Sequence, residues 1–398
     1  MYPAASSGFL PAAGPVTIGI VAGEASGDAL GATLIEAVRA RIPQARFVGI
    51  AGPKMEAAGA TTWFPLEKLA VRGLAEVVSH LPELFRIRGE LARRMIAERV
   101  PVFVGVDAPD FNLGLERKLK NRGVRTIHFV SPSVWAWRRE RVNKIARCVH
   151  RMLALFPHEP PLYESAGVPV TFVGHPLAQT AAKDDSRDEA RQAFDLGSLT
   201  PVFALLPGSR ASELDMHADM ILQAAAAIWK QQPDARFLVP LATRPTRERF
   251  EAAQSRLGLK QLPLTLLYGH AGEALRAADV ALVASGTATL EAALARCPHV
   301  IFYRVAPLTA RIVRSKLLLP WVGLPNVLAN RFVVPELLQD DATAENLAQA
   351  ALNLFDDFAV RRRIEAVFAG LAAELLADTG GLAAEAVTAE LRAAGVGC

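Results

Sequence analysis

A carboxylate at the carboxyl end of a buried strand is well placed to take a proton from a hydroxyl held in a cleft, and one segment has that form. The apolar run Val100–Val106 leads into Asp107-Ala108-Pro109-Asp110 and then Phe111-Asn112. Asp107 is the candidate base, with Pro109 stiffening the turn that aims it, while Asp110 reads as the cap of a helix beginning near Phe111. In the second half, the run Val202–Leu206 meets Pro207-Gly208-Ser209-Arg210 ahead of a helical pattern, Ser212–Trp229. Gly208, Ser209 and Arg210 offer a phosphate backbone N–H groups, a hydroxyl and a planar cation; the alternative for Arg210 is a surface pair with Glu213. A second turn of small residues follows the run Val280–Ala284. Its Ser285, Gly286, Thr287 and Thr289 suit another phosphate contact, and Glu291 either reaches a ribose hydroxyl or is a solvated helix acid. Together the two turns suit a nucleoside diphosphate held between two helix starts.

Other segments are less specific. Gly23-Glu24-Ala25-Ser26-Gly27-Asp28 closes the first apolar run with neither GxGxxG spacing nor the lysine of a P-loop, and Ser26 or Asp28 serves equally well as a helix cap. Asn326, in Leu319–Asn326, hydrogen-bonds a base or phosphate, or else satisfies its own loop. Between Leu66 and Met95, apolar positions alternate with Arg72, Arg86, Arg88 and Arg93, and Pro82 breaks the period. That composition suits either an anionic lipid surface or an amphipathic core helix. Trp135 and Trp137, followed by Arg138 and Arg139, read as a cleft wall rather than a nucleic-acid patch. His175, before Pro176, reads as a hinge hydrogen bond.

The elements that must position these residues follow an α/β alternation. Short runs rich in β-branched residues recur at Val16–Ala22, Arg46–Ala51, Val100–Val106, Arg125–Val130, Arg151–Phe156 and Val168–Val173, with amphipathic stretches between. A second series begins at Val202 and includes Arg236–Val239, Leu264–Leu267, Val280–Ala284 and His299–Tyr303. The expectation is two Rossmann-like domains facing a cleft, residues 16–177 and 201–335, joined by a polar linker, 178–200. A helical segment, 336–398, packs back on the first domain or on a partner chain, and residues 1–15 form a disordered tail. With 398 residues, 51% hydrophobic and 21% charged, the chain is globular rather than disordered, and a net charge of +4 is too small to argue nucleic-acid binding. Three cysteines without a CxxC pair indicate neither a disulfide framework nor a zinc site. Any membrane contact is expected to be peripheral, since no stretch reads as a spanning helix.

These motifs form an ordered set, and with them the sequence resembles the lipid-A-disaccharide synthases, glycosyltransferases of the GT-B fold. The resemblance rests on GEASGD (Gly23–Asp28), VGVDAPDFN (Val104–Asn112), HFVSPSVWAWR (His128–Arg138), FVGHPL (Phe172–Leu177), LLPGSR (Leu205–Arg210), ASGTATLE (Ala284–Glu291) and GLPN (Gly323–Asn326). It implies inverting transfer of 2,3-diacylglucosamine from UDP to 2,3-diacylglucosamine 1-phosphate, giving a β-1,6-linked disaccharide 1-phosphate and UDP. It also implies a cytoplasmic enzyme, peripheral on the inner face of the inner membrane, working as a homodimer without metal or other cofactor. Asp107 becomes the base for the acceptor's 6-hydroxyl, and Arg210 stabilises the departing diphosphate. Gly208, Ser209, Ser285, Gly286, Thr287, Thr289, Glu291 and Asn326 hold the nucleotide, Ser26 and Asp28 face the acceptor, and Arg72, Arg86, Arg88 and Arg93 face lipid. The competing classes are a UDP-sugar epimerase of the same fold and a non-catalytic nucleotide-sugar or lipid-binding protein, distinguished by whether UDP release needs an acceptor.

Overall fold

The structure, a computed structural model, describes residues 15–69, 74–132, 141–183, 186–305 and 319–397, with side chains from residue 81 onward in the segment that begins at 74. Arg72, Trp135 and Trp137 lie outside the described residues. The chain divides into two units, Met1–Pro176 with Ala377–Cys398, and Leu177–Leu376.

The first unit is built on a seven-stranded parallel sheet in the order β3-β2-β1-β4-β5-β6-β7. Its strands are β1 (Thr17–Ala22), β2 (Arg46–Ile50), β3 (Ala60–Thr62), β4 (Val102–Val106), β5 (Arg125–Phe129), β6 (Arg151–Ala154) and β7 (Val170–Phe172). All five residues of β4 are buried, as expected where helices cover both faces of a parallel sheet. Helix Leu74–Ala97 runs through Pro82, where the sequence pattern had suggested a break. Helix Pro109–Lys120 begins on its proline, and Asp110 contributes no side-chain cap; it lies in the first turn and pairs with Arg141 at 3.2 Å.

The second unit carries a six-stranded parallel sheet, β10-β9-β8-β11-β12-β13. It comprises β8 (Val202–Leu206), β9 (Arg236–Leu241), β10 (Leu264–Tyr268), β11 (Val280–Ala284), β12 (His299–Tyr303) and β13 (Glu336–Leu338). The last of these opens the segment expected to be wholly helical. Within 178–200, expected as a linker, helix Arg187–Ala193 starts in a capping box between Ser186 and Glu189. Its buried Arg191 ties it to the residues leading into β11, through Asp279 at 2.9 Å and the Ala277 carbonyl at 3.0 Å.

By length and composition alone, Phe358–Ala393 is apolar enough to cross a membrane. It is two helices, Phe358–Leu375 and Thr379–Ala393. Ile364, Phe368 and Leu371 are buried in the second unit's core, and Ala383, Val387 and Leu391 in the first unit's. Part of the apolar surface of this run is therefore spent on two protein cores, while Phe358 and Leu376 stay exposed.

Candidate functional site

In each sheet the strand order reverses once, and ligands of open α/β folds bind at the carboxyl ends of the strands flanking that point. In the first unit the flanking strands are β1 and β4, paired in register up to Ala22 and Val106. The GEASGD turn leaves one and Asp107 leaves the other. Asp107 and Ala108 both have left-handed backbones, φ 53° and 44°, a conformation costing about 1–3 kcal/mol per residue that only surrounding bonds maintain. The Asp107 N–H donates to the Phe129 carbonyl at 2.8 Å, and Asn112 Nδ2 donates to the Asp107 carbonyl at 2.8 Å. Burial pushes the Asp107 carboxyl above its ordinary range; the Ala108 N–H and the charge of His128 pull it down, and Glu24 pushes it up. A half-buried carboxylate in this condition is a stronger base than one in water.

Ser26 is exposed beside this corner. Asp28 is not available to a ligand: it is 3% exposed, and its carboxylate accepts from the N–H groups of Gly52, Lys54 and Met55, each at 3.0 Å. It fastens helix Pro53–Ala57 to helix Ala25–Arg41, and this structural role corrects the acceptor contact expected of it.

In the second unit the reversal falls between β8 and β11, whose ladder ends at Leu206 and Val283. It brings the Pro207–Arg210 turn and the Ser285–Thr287 turn side by side. Gly208 has φ +125°, and a Cβ there would lie 2.6 Å from the Glu213 carboxylate, so glycine is required. That carboxylate occupies the backbone nest, accepting from Ser209 N–H at 2.9 Å and Arg210 N–H at 3.1 Å. Tyr303 hydroxyl donates to its other oxygen at 3.2 Å, and the Arg210 guanidinium lies 3.4 Å from it. The pairing of Arg210 with Glu213 is thus present, and Ser209 and Arg210 both remain exposed to solvent. Gly286 and Thr287 are exposed, and Ser285 is half-buried, its N–H donating to the Phe302 carbonyl at 2.9 Å. Burial alone pushes the Glu291 carboxyl up.

Two expected nucleotide contacts are occupied internally. Thr289 is fully buried and donates its hydroxyl to the Gly286 carbonyl at 2.8 Å. Asn326, also fully buried, donates to the Val334 carbonyl and Glu336 at 2.9 and 2.8 Å and accepts from the N–H groups of Val333 and Val334 at 2.7 and 3.0 Å. Both donors and both acceptor positions of its amide are used, so it holds its own loop. Of the arginines expected to face lipid, Arg86 is exposed, and Arg93 is exposed but paired with Glu90. Arg88 turns inward: it donates to the Asp110 carbonyl at 2.9 Å and lies 5.0 Å from the Phe111 ring centre, and that burial lowers its pKa. Phe85, on the same helix, is 58% exposed.

Residues to which the motifs assigned no role complete the first corner. Asn112 and Glu116 stand one turn apart on helix Pro109–Lys120, and Glu116 Oε1 lies 2.7 Å from Nδ1 of His128 on β5, both side chains fully buried. The i, i+4 spacing of two polar groups on the face of a helix that packs on a sheet was the available signal.

The family model described as lipid-A-disaccharide synthetase matches residues 18–376. The lipid-A-disaccharide synthase of Chromobacterium violaceum is 52% identical over 374 residues, covering 94% of this chain and 97% of its own. That of Dechloromonas aromatica is 51% identical, covering 94% and 98%. Among solved structures, a UDP-N-acetylglucosamine 2-epimerase from Listeria monocytogenes, described there as putative, superposes with a TM-score of 0.60 at 14% identity, covering 96% of each chain. Acinetobacter baumannii MurG superposes at 0.55 and 14% identity, covering 94% of this chain and all of that one. These two likenesses bear on the fold alone.

Proposed function

The chain belongs to the lipid-A-disaccharide synthase family and is a glycosyltransferase, and from that premise we propose that it moves 2,3-diacylglucosamine from UDP to 2,3-diacylglucosamine 1-phosphate with inversion. The acceptor's 6-hydroxyl oxygen attacks the anomeric carbon, its proton passes to Asp107, and the bond from that carbon to the β-phosphate oxygen breaks. UDP leaves with the electron pair, and the product is a β-1,6-linked disaccharide 1-phosphate. The observation that carries the proposal is Asp107 itself, held at the β1/β4 reversal with its carboxyl raised by burial.

Negative charge develops on the β-phosphate as that bond lengthens. The Ser209 and Arg210 N–H groups, the Arg210 guanidinium and the turn Ser285–Thr287 are the donors suited to it. The diphosphate takes over the nest that Glu213 occupies, and Glu291 accepts from a ribose hydroxyl. Ser26 faces the acceptor. The exposed Phe85, with Arg86 and Arg93, gives helix Leu74–Ala97 a cationic, apolar surface for an anionic membrane, on the cytoplasmic side where both substrates present their headgroups. The working assembly is a homodimer.

The test is incubation of UDP-2,3-diacylglucosamine with and without the acylated sugar phosphate, followed by mass spectrometry. UDP and a disaccharide phosphate are expected only when both lipids are present; UDP or a free sugar from the donor alone overturns the reading. Asp107→Asn is expected to lower turnover by at least about 100-fold while UDP still binds, and retained turnover removes Asp107 from the role of base.

A further inference from the structure

Behind Asp107 lies a pair of buried ionisable groups that the reaction as written does not use. In the β4–β5 ladder, Gly105 pairs with His128 and Val106 with Phe129, whose carbonyl receives the Asp107 N–H. A Cβ at Gly105 would lie 2.3 Å from Glu116 Oε1 and 2.9 Å from Asn112 Cβ, so the missing side chain makes room for the helix to deliver its carboxylate to His128. The Glu116–His128 contact is 2.7 Å and both residues are 0% exposed. His128 Nε2 and Glu116 Oε2 are buried without a hydrogen-bond partner among the described residues.

We infer that Glu116 and His128 are positioning residues for Asp107: the pair shares one proton, and its imidazole is the cationic neighbour that keeps the base ionised at the strand end. An unprotonated pair would leave a bare carboxylate in the interior, so one proton stays between them. Burial pushes the Glu116 carboxyl up, and His128 opposes that shift. The same imidazole opposes the desolvation of Asp107. Among the described residues, the titratable groups facing this corner are Glu24 from the turn after β1, Glu116 from the helix and His128 from β5, and Cys148 lies within electrostatic reach of Glu116. The inference rests on Asp107 as the base of the proposed transfer.

Loss of the cation makes Asp107 harder to ionise. Glu116→Gln and His128→Gln are therefore each expected to move the acid limb of kcat/KM, followed by UDP release, to higher pH by about 1 unit, with UDP affinity unchanged. A merely structural pair would lower the whole profile without moving that limb, and an unmoved limb overturns the inference. Should either variant lose its fold, ¹⁵N-histidine NMR on the otherwise native chain decides: Asp107→Asn is expected to change the ring-nitrogen shifts of His128, and unchanged shifts overturn the coupling. Absence of UDP release by the native enzyme with both lipids present overturns the glycosyl-transfer reading alone, and the NMR comparison still judges the pair.

Discussion

Glu213 does to the turn Pro207–Arg210 what a bound anion would do. Its carboxylate satisfies the Ser209 and Arg210 N–H groups at 2.9 and 3.1 Å, the donors proposed for a phosphate. In the proposed transfer, a ligand phosphate would therefore compete with an internal charge. Replacing that carboxylate by an amide exchanges charge-assisted hydrogen bonds for neutral ones, a difference of about 1 kcal/mol. Glu213→Gln is expected to tighten UDP binding about fivefold by calorimetry, and Arg210→Ala to weaken it; unchanged or weaker binding in Glu213→Gln removes the competition. The same comparison shows which part of the site is legible in the sequence. Asp107 and Arg210 stand at the ends of apolar runs, so their placement beside strand ends follows from local pattern. Whether a polar group is already spent does not. Asp28 bonds to backbone 24 to 27 residues away, and Asn326 to residues 7 to 10 away, in partnerships that exist only after folding.

Elements buried on both faces are the most legible, because continuous apolar runs such as β4, β8 and β11 have no other soluble solution. Elements outside such runs are the least. β3 and β13 have three residues each, too few for a period to emerge, and helix Arg187–Ala193 has a charged sequence that reads as linker until its capping box is noticed. Helix Leu74–Ala97 tolerates Pro82 although a proline removes one backbone bond. Burial within an element also sets its response to acid. His299, on β12, is fully buried and donates from Nδ1 to the Cys297 carbonyl at 2.9 Å, and its ring centre is 5.4 Å from that of Phe368; burial lowers its pKa to about 4. Between the ordinary histidine value of about 6.5 and that lowered value, the unfolded chain takes up a proton that the folded chain refuses. The contribution is complete above about pH 6.5 and declines as pH falls, reaching a loss of about 2 kcal/mol at pH 5. Urea unfolding of the second unit is expected to show this loss between pH 7 and 5, with a smaller one in His299→Phe; equal stability at both pH values contradicts the assignment.

The chain leaves the first unit at Pro176 and returns to it at Ala377, so the first unit's core is completed by the last residues of the sequence. No local pattern marks that return, because helix Thr379–Ala393 has an ordinary Ala/Leu stripe able to pack on many surfaces. Charge selects the destination. Glu390 is 2% exposed and receives Arg125 Nε at 2.7 Å from β5 and Arg151 Nε at 2.9 Å from β6, so one buried carboxylate joins the helix to two neighbouring strands. The strand β5 so clamped also carries His128 and the Phe129 carbonyl that holds Asp107. Removing the carboxylate leaves two partly buried guanidinium groups facing each other without a counter-charge, a loss of about 3 kcal/mol. Glu390→Ala is expected to destabilise the first unit by that amount, with faster hydrogen exchange in β5, β6 and the final helix and unchanged exchange in β8 and β11. Glu390→Gln, which keeps the shape and one acceptor oxygen but no charge, falls between. Unaltered protection in β5 and β6 would mean that apolar packing against helix Ala25–Arg41 alone secures the returning segment, and that Asp107 is held independently of the chain's end.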